Sequence, residues 1–214
     1  MNANIGRTNH KIGRPLHSTL ERLPLNRKLH QDFIYYVGRS DTRERVKDKI
    51  IFAATILHHS GMRASELLKL KYQHLSDAVF EGRFSLDNST KTKSTRLILL
   101  ARLGRKEIEE LIDGYEGDMK DYVFPAKNGG ALSKGPFIRL LNRHIHSILG
   151  ELYSSHSYRI SYITDLLKVS SANLAQKAVG HKSVSTTLRY GYSSTEDILS
   201  KLEETRGQVE AIGA

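Results

Sequence analysis

The segment GHKSVSTTLRYGY, residues 180–192, sets His181 nine residues ahead of Tyr190 across a turn, so an imidazole and a phenol can face one pocket. A phenol ionises at about pH 10 and is a poor nucleophile near neutrality unless a base or several cations take up its proton. Two further segments offer such groups. HHSGMRASELLKLK, residues 58–71, puts Arg63 at a helix start just past Gly61, where amide donors and the helix dipole favour an anion. Glu66, three residues on, can hold the guanidinium or strengthen the first helical turn. SSHSYRISYITDLL, residues 154–167, brings His156 and Arg159 onto one face at the start of a helix that Ser154 or Ser155 can cap. Singly, each of these is a solvated surface residue. Together they are a set that can clamp a phosphate, for which arginine's planar fork is well shaped, beside an activated phenol.

These groups must be positioned by a folded scaffold, and the apolar pattern predicts a mainly α chain with a small antiparallel β-sheet, an α+β class. Helical spacing runs over Leu25–Tyr36 and Val46–His59, and the second helix, with Ile50, Ile51, Phe52, Ala54, Ile56 and Leu57, is apolar enough to be central. Gly61 reads as a left-handed stop, after which Ala64–Leu70 resumes as helix, anchored by Leu67, Leu68 and Leu70. From 79 to 101 the period changes: Val79, Phe80, Phe84, Leu86 and Leu97–Leu100 flank the polar DNSTKTKST, which predicts two or three short strands with a basic turn. Further helices are expected at 104–114, 134–149, 156–168, with Ile163, Leu166 and Leu167 buried, then 171–179 and 184–191, and a terminal one over STEDILSKLEETRGQVEAI. The domain reading is a basic arm or irregular lead-in over 1–22, a single unit over 23–195, and a C-terminal helix or tail over 196–214. The KIGRP stretch of the arm reads as a solvated tail, with a minor groove as its alternative use.

Composition narrows the partner. Across 214 residues, 33 Lys and Arg against 23 Asp and Glu leave a net charge of +10, which favours a polyanion. With no cysteine there is neither a disulfide framework nor a cysteine-based zinc site. His144 and His146, two apart on a helix, point to different sides and do not suggest a metal site. No apolar run approaches the ~18 residues of a membrane span, so the expectation is a soluble, cytoplasmic protein. RNA-reading modules interleave aromatic residues, which at 7% are sparse here.

In combination, GMRASE, HSYR and GHKSVSTTLRY resemble the G-x-R-x-x-E, H-x-x-R and G-H-to-tyrosine motifs of the tyrosine recombinase (phage integrase) family, in the family's order and spacing over residues 24–195. The resemblance implies a site-specific DNA recombinase acting on double-stranded DNA, with Tyr190 as nucleophile and Arg63, Arg159, His156 and His181 around the phosphate. It also implies a lysine in a β-turn, here STKTKSTR, for which Lys91 aligns best and Lys93 is second. No metal or nucleotide cofactor is implied. A homotetramer on DNA is, with C-terminal helices passed between protomers (candidate residues 195–210) and accessory DNA-bending proteins as further candidate partners. Two departures stand out. Only 45 residues precede Val46, leaving no room for the family's helical core-binding domain, so the chain reads as a catalytic-domain-only member or an excised fragment. Ile160 stands where many members have a second histidine. The alternatives are a type IB topoisomerase, which the short spacing from Gly-His to tyrosine disfavours, and a non-catalytic DNA-binding regulator, which retention of every candidate group disfavours.

Overall fold

The computed structural model describes residues 22–87 and 95–191. Helix α1 (Arg27–Arg39) starts at Asn26, whose side chain accepts the Leu29 amide at 3.0 Å, and buries His30, Phe33 and Val37 along one stripe. Helix α2 (Glu44–Ser60) buries Ile50, Ala53, Ala54, Ile56 and Leu57 and packs against α1, α5 and α7, the central place its composition predicts. It stops at Gly61, whose φ of 55° is the expected left-handed conformation. The glycine is required for a second reason: the Tyr162 ring lies so close that a Cβ would fall 2.5 Å from its Cγ.

Helix α3 is shorter than the expected Ala64–Leu70. It runs Ala64–Leu67 with Leu68 as its cap, and Leu67, Leu68 and Leu70 are nonetheless buried. Helix α4 (Tyr72–Glu81) corrects the reading of 79–101 as entirely strand and turn, because Val79 and Phe80 belong to it. Leu75 and Ala78 form its buried side, and Gly82, at φ 74°, turns the chain into β1 (Arg83–Asp87). That strand pairs antiparallel with β2 (Thr95–Leu99) in the register Phe84 opposite Ile98 and Leu86 opposite Arg96, giving the two-stranded sheet among the described residues.

Helices α5 (Arg102–Ile112), α6 (Lys134–Leu149), α7 (Ser155–Val169) and α8 (Ala172–Val179) fall close to their expected spans. Helix α9 (Val184–Leu188) ends before Tyr190 rather than beyond it. Ile163 is buried on α7, whereas Leu166 and Leu167 are only half-buried. One core joins Phe33, Ile50, Leu57, Phe124, Leu141 and Tyr158. The arm up to residue 21, Lys91, Lys93 and the C-terminal tail lie outside the described residues. No described helix is long and apolar enough to cross a membrane.

Candidate active site

Three turns that are remote in the chain converge. At the first, Arg63 is the residue before α3, and Glu66 serves both purposes proposed for it. Its Oε2 accepts the Arg63 amide at 2.8 Å while Oε1 accepts Arg63 Nη1 at 3.0 Å. The Arg63 side chain remains substantially exposed, its fork held at the helix start.

At the second turn, Ser154 caps α7, its hydroxyl accepting the His156 amide, while Ser157 Oγ accepts the Ser154 amide at 3.0 Å. His156 stands exposed beside the cap, but Arg159 is not the solvated arginine of the local reading. It is 1% exposed, and its Nη1 donates to the Gly61 carbonyl and its Nη2 to the Val179 carbonyl, each at 2.7 Å. A guanidinium has five N–H donors, and these two carbonyls take two of them. Arg159 therefore ties the stop of α2 to the stop of α8. Burial, and then the neighbouring Arg96 and Arg63, bring it down to about 9, so it stays charged at neutral pH.

The third turn carries His181 and Tyr190. Gly180 (φ 63°) ends α8, and His181 Nδ1 lies 2.9 Å from the hydroxyl of the buried Thr187, which leaves Nε2 as the ring atom for a ligand. The His181 and Tyr190 rings stack with centroids 5.9 Å apart. The Tyr190 hydroxyl lies 3.5 Å from His156 Nε2, and its backbone carbonyl accepts from Thr164 of α7 at 3.3 Å. The half-buried phenol thus docks on its own protomer's α7. His181 is driven down to about 4 by burial and then by Arg159, Arg63 and Arg96; His156 is lowered by desolvation and then by Arg159, Arg63 and Arg22. Both imidazoles are accordingly neutral at pH 7, and the shared cations show that one electropositive neighbourhood holds them.

A third guanidinium, Arg96, completes this neighbourhood and was not among the sequence candidates. It is 6% exposed and paired with Glu66 through a short contact from Nη1. The alternation of exposed and buried positions along β2 puts Arg96 on the inward face with Ile98 and leaves Leu97 and Leu99 outward, an arrangement the apolar run Leu97–Leu99 does not signal. One carboxylate thus serves two arginines. Neither of two concavities elsewhere, about 600 Å³ beside Tyr36 and Arg143 and about 280 Å³ beside His30 and Glu107, is lined by the site residues. Among the described residues there is no group of three or more His, Cys, Asp or Glu arranged to hold a metal ion.

Residues 37–196 match the phage integrase family. The chain belongs to that family. It is 30% identical over 172 residues to tyrosine recombinase XerC of Rickettsia bellii, covering 78% of this chain and 53% of the relative. The fold is similar to the crystal structure of XerA recombinase, with a TM-score of 0.65, 19% identity and coverage of 90% of this chain and 66% of that one. It is also similar to XerH site-specific recombinase bound to difH substrate in a pre-cleavage complex, with a TM-score of 0.60, 22% identity, and coverage of 84% and 53%. The mainly helical fold with its small antiparallel sheet is thus that of a tyrosine recombinase catalytic domain. The chain spans about half the length of the curated relatives it matches, 48% and 53% for the first two.

Proposed function

We propose that this chain is the catalytic unit, over residues 23–195, of a site-specific recombinase that cleaves and rejoins double-stranded DNA. The observation that carries the reading is the placement of the Tyr190 hydroxyl 3.5 Å from His156, with its ring on His181, in the neighbourhood of Arg63 and Arg159. An open, cationic face of this kind suits a backbone phosphate of a duplex better than a small molecule.

In this mechanism Tyr190 Oη attacks the scissile phosphorus as His156 accepts the phenolic proton. The P–O5′ bond breaks, a 3′-phosphotyrosyl bond forms, and the 5′-oxygen leaves as a hydroxyl after taking a proton from Lys91, or from Lys93 in its place. Arg63 and Arg159 neutralise the charge that grows on the non-bridging oxygens, and His181 hydrogen-bonds one of them. Removing one such oriented donor from an active site typically slows catalysis by about 10²–10³-fold. A 5′-hydroxyl from another strand then attacks the phosphotyrosyl linkage, restoring the phenol and completing exchange without an external energy source. Four protomers on DNA would carry out paired exchanges, with residues 195–210 as the segment passed between neighbours. The net charge of +10 and the XerH–difH neighbour support a DNA-associated protein.

The test is a nicked suicide duplex bearing the target site, obtained by selection from a randomised pool. Wild-type protein is expected to accumulate a covalent adduct that Tyr190→Phe abolishes. Specific binding without an adduct would refute the enzyme, and relaxation of supercoils without strand exchange would point to a topoisomerase.

A further inference from the structure

Arg96, opposite Leu86 in the sheet, is a guanidinium buried to 6% exposure, which is costly unless its donors are met. Its Nη1 is taken by Glu66, yet Nε and Nη2 are buried with no hydrogen-bond partner among the described residues. Two buried donors without a partner are a cost to the fold, so the Glu66 contact is the interaction that holds this guanidinium in place. Its position is closely set from both sides. The stem lies against the α8 stop, where a Cβ on Gly180 would fall 3.1 Å from Arg96 Cδ and 3.2 Å from Nε. The tip meets Glu66 Oε2, the same oxygen that receives the Arg63 amide, while Glu66 Oε1 holds Arg63 Nη1. Glu66 is itself 4% exposed, so its carboxylate has little water to orient it. Without Arg96 it could turn on its side-chain torsions and carry the Arg63 fork with it.

We propose that Arg96 is a positioning residue for strand cleavage, acting through Glu66 to fix the guanidinium of Arg63 where the scissile phosphate sits. The assignment rests on the recombinase reading above. It separates two tasks on one side of the site: Glu66 presents Arg63, and Arg96 orients Glu66. Arg96 itself needs no contact with DNA.

The test is a cycle of single-turnover cleavage rates on the suicide duplex for wild type, Arg96→Met, Arg63→Ala and the double variant, with DNA affinity and thermal midpoint measured alongside. Arg96→Met is expected to slow cleavage by about a hundredfold, as befits misplacement of an oriented donor, with DNA affinity within about threefold of wild type. In the Arg63→Ala background the same change is expected to slow it by less than about threefold, because the group it positions is gone. Arg96→Lys, which keeps a cation beside Glu66 without the fork, should fall between wild type and Arg96→Met, and it carries the comparison if Arg96→Met does not fold. Equal losses in both backgrounds would reduce Arg96 to general support of the fold and overturn the proposal, as would wild-type cleavage by Arg96→Met or an Arg96→Lys no faster than Arg96→Met. A wild-type protein that forms no adduct sinks the recombinase reading and this proposal with it; wild-type cleavage with an indifferent Arg96 sinks the proposal alone.

Discussion

Gly61→Ala perturbs the point where α2, Arg159 and the Arg63 turn meet, and its effect can be worked from the coordinates. An alanine held at φ 55° is disfavoured by roughly 1–2 kcal/mol relative to glycine. The loss of glycine's freedom in the unfolded chain returns about 0.4–1 kcal/mol of that. The new methyl would meet Tyr162 at 2.5 Å from Cγ and 2.9 Å from Cβ, well inside the ~3.5–4 Å of a normal carbon contact. Overpacking of this kind adds about 1–3 kcal/mol. The sum is a loss of roughly 1–4.5 kcal/mol, to be read from urea unfolding as a shift in midpoint at unchanged slope. Because the Gly61 carbonyl accepts from Arg159, cleavage should also fall by at least about tenfold at a temperature where the variant is folded. Pairing the change with Tyr162→Ala removes the overlap but not the φ penalty, so the two substitutions should couple favourably by about 1 kcal/mol or more. A Gly61→Ala protein within about 0.5 kcal/mol of wild type, or strict additivity of the pair, would refute the reasoning.

Acid should destabilise the protein early. His30 and His58 stack at 4.3 Å between centroids; burial first, then the charges of His58, His59 and Arg27, drive His30 to about 3, and burial followed by His59 drives His58 to about 4. The unfolded chain takes up these protons below about pH 6.5, so the stabilising contribution is whole above that value and is lost as pH falls toward 4 and then 3. Each proton bound only by the unfolded chain removes about 1.4 kcal/mol per pH unit, and His30→Gln with His58→Gln should flatten the urea-midpoint profile between pH 6.5 and 4. For Arg159→Lys, an ammonium cannot hold the Gly61 and Val179 carbonyls and a phosphate together. Single-turnover cleavage should therefore drop by about 10²–10³-fold, and a loss below about threefold would contradict the assigned geometry.

What was readable before the structure divides by range. The central helix, the Gly61 stop, the Ser154 cap and the helix over 134–149 are local signals, set by period, capping and glycine, and all appear where expected. The reading of Val79 and Phe80 as strand failed because two apolar residues next to a strand pattern conceal the Leu75–Ala78 stripe of α4, which is visible only once Gly82 is taken as the helix stop. The burial of Arg159 was beyond a local window, since its partners Gly61 and Val179 are 98 and 20 residues away in the chain. The inward turn of Arg96 was not legible either, because TRLIL offers Leu97 and Leu99 as the apolar face and the strand instead turns those two outward, with Arg96 held in by Glu66 thirty residues away.

The most direct measurement is peptide mapping of the covalent adduct. Trypsin cuts after Arg189 and leaves Tyr190 and Tyr192 in one peptide, so fragmentation must separate them. The account predicts a nucleotide joined through its 3′-phosphate to Tyr190. A label on Tyr192, or a linkage through a 5′-phosphate, would contradict it.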